Sequence, residues 1–215
     1  MILSEIAVGA RFGMPKEAEF NGGTHSIESM YVAQLGRFRT KCTGKVYIEL
    51  WEGPPADVEF ANLIDVVMVR RPFDFEAYWH MDLEMRKRTI LEVIREEMVK
   101  VARRMGWPFA PFEEAYQGVL AMNLVHEFFC GKAATSPNRK RKARVWCHFD
   151  VERIDVYVIF YDKAGRELGR RLAATTLPHD FFLYHALGTF GWIDDATVVL
   201  APKLEGEVIR IKSPE

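Results

Sequence analysis

Between Ile90 and Met105 the apolar residues Ile90, Val93, Ile94, Met98, Val101 and Met105 recur at intervals of three and four, the spacing that gathers side chains onto one stripe of an α-helix. This stripe constrains the fold more than any other feature. It predicts a long helix, buried on one side, in the middle of a chain whose flanks read in strand period. Glu92, Arg95, Glu96, Lys100, Arg103 and Arg104 fall on the other side, where water solvates them and the late arginines complement the negative helix end. Asp74 follows Pro72 as an N-cap, and Gly106-Trp107-Pro108 stops the helix, because glycine takes the capping conformation and proline cannot extend the hydrogen-bond ladder. A second helix starts near Pro111, carries Ala115, Val119, Met122 and Leu124 on its apolar side and fades by Gly131.

Before the helices, Met30–Leu35, Val46–Trp51 and Leu63–Arg70 read as strands, broken by Gly36, by Gly44 as a hairpin and by Gly53-Pro54-Pro55. Ile64–Val69 is nearly all apolar and β-branched, which suits a central strand covered on both faces. After the helices, Ala143–Phe149, Ile154–Tyr161, Leu168–Thr175 and Thr197–Ala201 read as strands, with Asp162-Lys163-Ala164-Gly165 as a hairpin turn. Strands, then helices, then strands predict an α+β fold: N-terminal strands, two central helices and a C-terminal antiparallel meander, layered as a single domain over residues 1–215.

Composition excludes several functions. The 29 Lys+Arg offset 30 Asp+Glu, so no global field draws the chain to nucleic acid or an anionic membrane. No apolar run reaches the length of a membrane span. The N-terminus lacks the pattern of a signal peptide and the three cysteines Cys42, Cys130 and Cys147 are too few for a secreted disulfide scaffold, so the expected compartment is the cytoplasm.

The chemistry-bearing residues are scattered. His126 and Cys130 stand four apart on the expected second helix, and Cys147-His148 follow on a strand; as consecutive strand residues these two point to opposite faces, which works against a zinc site, and the expectation is no metal and no cofactor. Gly22-Gly23-Thr24 lacks the Lys-Ser/Thr ending of a P-loop and reads as a loop, and Asp194-Asp195 reads as an exposed turn. No catalytic residue is assigned; the enzyme alternative rests on His126, Cys130, Cys147 or His148. The run Arg139, Lys140, Arg141, Lys142 and Arg144 places five bases within six positions. It reads first as a solvated loop and, as a site, as a contact surface for an acidic protein partner; nucleic acid is disfavoured because aromatic residues do not interleave with it. Phe181-Phe182-Leu183-Tyr184 reads as a strand segment needing a cover, such as an oligomer interface.

In the order of its elements the chain resembles small bacterial immunity proteins. The resemblance is carried by Lys87-Arg88-Thr89-Ile90-Leu91-Glu92 at the opening of the long helix, Gly106-Trp107 at its end, Phe112 through Tyr116 in the next helix, and Leu187-Gly188 and Gly191-Trp192 between late strands. It implies a protein-binding module that inhibits a cognate toxin by occlusion and performs no chemistry itself. Many members that block nucleases are acidic, whereas this chain has a net charge of −1, so the toxin class is left open.

Overall fold

A computed structural model describes residues 1–54, 60–204 and 206–214. Among them, five helices and eleven strands in three sheets make 32% helix and 37% strand, the mixed α+β class expected. The chain groups into two compact units, Met1–Leu124 and Val125–Glu215. No helix of the described residues is long and apolar enough to cross a membrane.

The first unit runs β1 (Glu5–Ala10), α1 (Glu17–Leu35), β2 (Lys45–Trp51), β3 (Phe60–Leu63), β4 (Val66–Pro72), α2 (Phe75–His80), α3 (Leu83–Met105) and α4 (Ala110–Ala121). Its sheet has the order β1-β2-β4-β3, with β1, β2 and β4 parallel and β3 antiparallel to β4. The expected strand Met30–Leu35 and the expected loop Gly22-Gly23-Thr24 both lie inside α1. Polar side chains on the buried side of α1 hide its helical pattern. Asn21 Oδ1 accepts from the Ala10 amide at 2.8 Å, Glu28 Oε1 from the Val8 amide at 2.7 Å, and Thr24 donates to the Val8 carbonyl at 3.0 Å. These bonds satisfy the open edge of β1, where unpaired backbone groups would otherwise face away from any strand.

Gly44 makes no hairpin, since β1 and β2 are parallel neighbours joined through α1. The Ile64–Val69 segment divides: Ile64, at φ 51°, and Asp65 turn the chain between β3 and β4, and within β4 only Val67 and Val69 are buried. Of the Gly53-Pro54-Pro55 break, Pro55 lies outside the described residues. Asp74 is an N-cap, but of the short α2, accepting from the Ala77 amide at 2.8 Å; Asp82 restarts the chain as the cap of α3, accepting from Met85 at 2.8 Å. The stripe from Ile90 to Val101 is buried as its spacing predicts, and Gly106 ends α3 at φ 66°. The following helix stops at Ala121, well short of Gly131, where Asn123 and Leu124 turn the chain at φ 52° and 55°.

Among the described residues the core of this unit holds three buried phenols, of which Tyr31 and Tyr78 lie deepest. Tyr31 donates to the Phe112 carbonyl at 2.8 Å, tying α1 to α4, and burial pushes its pKa up. Tyr78 is pushed up to about 12, chiefly by burial, with Arg86 opposing. An unfolded tyrosine ionises near 10, so the folded state keeps a proton that the unfolded state has lost. The contribution of Tyr78 is therefore full below about pH 10 and disappears as pH climbs to about 12. A denaturant series from pH 8 to 12 is expected to show stability flat at first and then falling, with part of the phenolate absorbance appearing only on unfolding. Phenolate absorbance in the folded protein at about pH 11 equal to that of the unfolded chain would contradict the burial.

The second unit runs β5 (His126–Thr135), β6 (Arg141–Phe149), β7 (Ile154–Asp162), β8 (Glu167–Thr176), α5 (Asp180–Ala186), β9 (Thr189–Trp192), β10 (Thr197–Ala201) and β11 (Ile209–Lys212). The strands β5 to β8 form the antiparallel meander, and β11-β10-β9 form a second sheet. Val145, Cys147, Val156 and Val158 from the first sheet bury themselves with Val198, Leu200 and Ile211 from the second, and Leu183 of α5 joins them. Gly165, at φ 86°, closes the hairpin expected at Asp162–Gly165. Asp194 is a turn residue, accepting from the Ala196 and Thr197 amides at 2.7 and 2.6 Å.

Candidate partner-binding surface

The basic run is not one loop. Arg139 and Lys140 occupy a tight turn held by Ser136 and Asn138, with Arg139 at φ 59° and the Asn138 amide donating to Asp195 at 2.9 Å. From Arg141 onward the chain is strand β6, so successive side chains separate to opposite faces. Arg141 is diverted, its guanidinium donating to the Ser213 hydroxyl. Ala143, Val145, Cys147 and Phe149 are buried, which leaves Lys142, Arg144, Trp146 and His148 on the outward face. Of the five bases picked out in the sequence, only Lys142 and Arg144 thus share this face.

Strand register then builds a surface that no local pattern announces. Phe129 of β5 pairs with Trp146 of β6, Trp146 with Tyr157 of β7, and Tyr157 with Leu172 of β8. The four side chains form a ridge across the whole sheet; Phe129 is 42% exposed and Leu172 54%. The Trp146 and Tyr157 ring centroids lie 5.4 Å apart. On one flank Arg144, Ile159 and Arg170 make the next row. The Arg144 guanidinium stands 3.8 Å over the Phe129 ring and that of Arg170 5.1 Å over Trp146, in the geometry of cation–π contact. Glu167 grips Arg170 at 3.1 and 3.3 Å, and this hydrogen-bonded pairing raises the arginine's pKa further. Among the described residues Arg144 makes no ion pair. On the opposite flank the row is Glu127, His148, Asp155 and Thr175, with His148 Nδ1 3.2 Å from Glu127 and Asp155 accepting from Thr175 at 2.7 Å.

The surface is therefore an aromatic ridge with a cationic margin on one side and, on the other, Glu127 beside His148, Asp155 in that row being buried and paired with Arg153. No aromatic residue lies within Arg139–Arg144 itself, but in the sheet the Phe129 ring stands under Arg144. Arg144, Trp146 and His148 alternate at period two in the chain, but Phe129, Tyr157, Arg170 and Leu172 enter only through register.

The enzyme alternative loses part of its geometry. His126 and Cys130 lie on strand β5 rather than on a helix; a spacing of four keeps them on one face in either case. His126 stacks near Phe128 and Phe149, at centroid distances of 4.8 and 5.4 Å. Cys147 is buried and His148 faces outward, as consecutive strand residues must. Cys130 and Cys147 do meet, with Sγ atoms 3.4 Å apart, but among the described residues neither thiol bonds to an imidazole and no group of three His, Cys, Asp or Glu could hold a metal. The segment Phe181–Tyr184 is helical, in α5, with Leu183 buried and Phe181, Phe182 and Tyr184 exposed.

Comparison with protein-family models, with curated proteins and with solved structures found no match to this chain.

Proposed function

We propose that this chain is a protein-binding module whose contact surface is the outward face of β5–β8. The Phe129–Trp146–Tyr157–Leu172 ridge carries the reading. Aromatic residues and arginine dominate the energetics of protein interfaces, because they remove large areas from water while fixing few rotatable bonds. Single-stranded nucleic acid would need open ring faces for stacking and an unbroken positive margin. Here guanidinium groups already cover Phe129 and Trp146, and the exposed Glu127 stands on one flank. The partner that fits is a protein presenting an apolar patch beside an acidic one, the acidic part meeting Lys142, Arg144 and Arg170. Inhibition of a cognate toxin by occlusion is the narrower form of this proposal, supported by the resemblance to immunity proteins.

The test is toxicity rescue. Genes neighbouring this one are expressed singly with and without it; a toxic product neutralised by the chain identifies the partner, and affinity is then measured. Trp146→Ala combined with Arg144→Glu is expected to weaken binding by about 100-fold while circular dichroism stays unchanged, since both side chains face outward. Unchanged affinity removes this surface from the proposal. Salt-sensitive binding of an oligothymidylate, lost in the same variant, would replace the protein partner with nucleic acid.

A further inference from the structure

Within Val125–Glu215 a cleft of about 810 Å³ opens beside the Cys130–Cys147 pair. That volume falls in the range of small-molecule sites. Val145, Leu183, Leu187, Phe190 and Leu200 form its apolar walls, and Cys130 is part of the lining. Cys147 lies behind Cys130, fully buried, with its sulfur 3.4 Å away. We propose that this pair is a thiol–disulfide exchange site, with Cys130 as the attacking thiol, Cys147 as the resolving thiol and an anionic low-molecular-weight disulfide as the substrate.

Four observations support the assignment, and none depends on the partner-binding face. First, only Cys130 is reachable from the cleft, which fixes the order of attack. Second, the nucleophile is the thiolate, and the contact with Cys147 favours that form at Cys130, the sulfur that lines the cleft, while Cys147 is held buried. Third, the strand can move where it must. Cys130 pairs with Val145, so Cys147 is its diagonal neighbour, and the β5 register breaks directly after Cys130, with Gly131 at φ 65°. The sulfurs must close to about 2.05 Å to bond, and the bulge leaves the backbone beyond Cys130 without ladder bonds that would resist the shift. Fourth, among the described residues Lys132 and Lys203 line the cleft against the one carboxylate of Asp180, a balance that favours carboxylate-bearing ligands.

The reaction balances without a metal. The Cys130 thiolate attacks one sulfur of RS–SR, forming Cys130–S–SR and releasing RS⁻. Cys147 gives up its proton to that thiolate and attacks the Cys130 sulfur, which expels the second RS⁻. Two protein thiols are oxidised to one disulfide, and the substrate is reduced by two electrons to 2 RSH. Excess RSH reverses the process.

The test uses the full chain with Cys42, which is exposed, replaced by serine. Treated with oxidised glutathione and mapped by mass spectrometry, this protein is expected to acquire a Cys130–Cys147 disulfide. Cys147→Ala, which keeps the buried position apolar, should instead accumulate a glutathione adduct at Cys130, and Cys130→Ala should stay unmodified. Charge reversal by Lys132→Glu with Lys203→Glu should slow oxidised glutathione about tenfold and accelerate the cationic disulfide cystamine. Absence of the Cys130–Cys147 bond across glutathione ratios from reducing to oxidising overturns the exchange site. Modification of Cys147 in Cys130→Ala overturns the order of attack, and equal rates for the two disulfides overturn the anionic substrate.

Discussion

Replacing Phe20 by alanine is expected to cost the first unit about 3–5 kcal/mol, the range for deleting a fully buried aromatic ring. Phe20 is 1% exposed, and its ring centroid lies 5.7 Å from Phe73, 5.0 Å from Phe75, 5.1 Å from Tyr78 and 6.4 Å from Trp79. It is the residue through which the first turns of α1 meet the end of β4 and the short α2. Where the surroundings relax only in part, the lost transfer energy is joined by a cavity term. Against a total stability of about 5–15 kcal/mol, the loss is severe. Denaturant unfolding with hydrogen exchange over Met1–Leu124 reads it. Phe12→Ala is the control, since Phe12 is 92% exposed and its loss should stay within about 0.5 kcal/mol. A cost for Phe20→Ala below about 1 kcal/mol would mean that the aromatic cluster is not packed as described. The same curves bear on the proposal that residues 1–215 unfold as a single domain, which requires one transition where separable units give two.

Gly188→Ala is expected to cost the second unit about 3 kcal/mol, at the upper end of overpacking effects. Gly188 sits between α5 and β9, and a β-carbon there would lie 2.1 Å from the Ala201 carbonyl oxygen, 2.6 Å from the Pro202 carbonyl carbon and 2.8 Å from the Lys203 nitrogen. These are backbone atoms, so no rotamer change relieves the contact. The accommodation is a separation of β9 from β10, whose pairing includes Thr189 with Ala201. Gly188 also lines the cleft beside Cys130, so the variant should react more slowly with oxidised glutathione as well as melt earlier. Gly191→Ala, within β9 and with nothing within 4 Å of the added carbon, is the control and should leave stability within about 1 kcal/mol of the parent. Equal melting of the two variants would show that the close approach at Gly188 does not exist.

Where a feature rests on a window of adjacent residues, the sequence alone determined it. The stripe from Ile90 to Met105 with its Gly106 cap, the alternation along β6, the Asp162–Gly165 hairpin and the Asp194 turn all follow from short-range periodicity and turn chemistry. Tertiary structure decided the rest. α1 is a helix although Asn21, Thr24 and Glu28 lie on its inner side, because those side chains complete the edge of a strand distant in the chain. His126 and Cys130 share a face in either period, so their spacing could not choose between helix and strand. The ridge of Phe129, Trp146, Tyr157 and Leu172 and the meeting of Cys130 with Cys147 were set by register. Register is fixed by the burial of whole faces across strands far apart in sequence, whereas propensity and capping are properties of neighbours; residues that act together across a sheet therefore leave no mark on the chain between them.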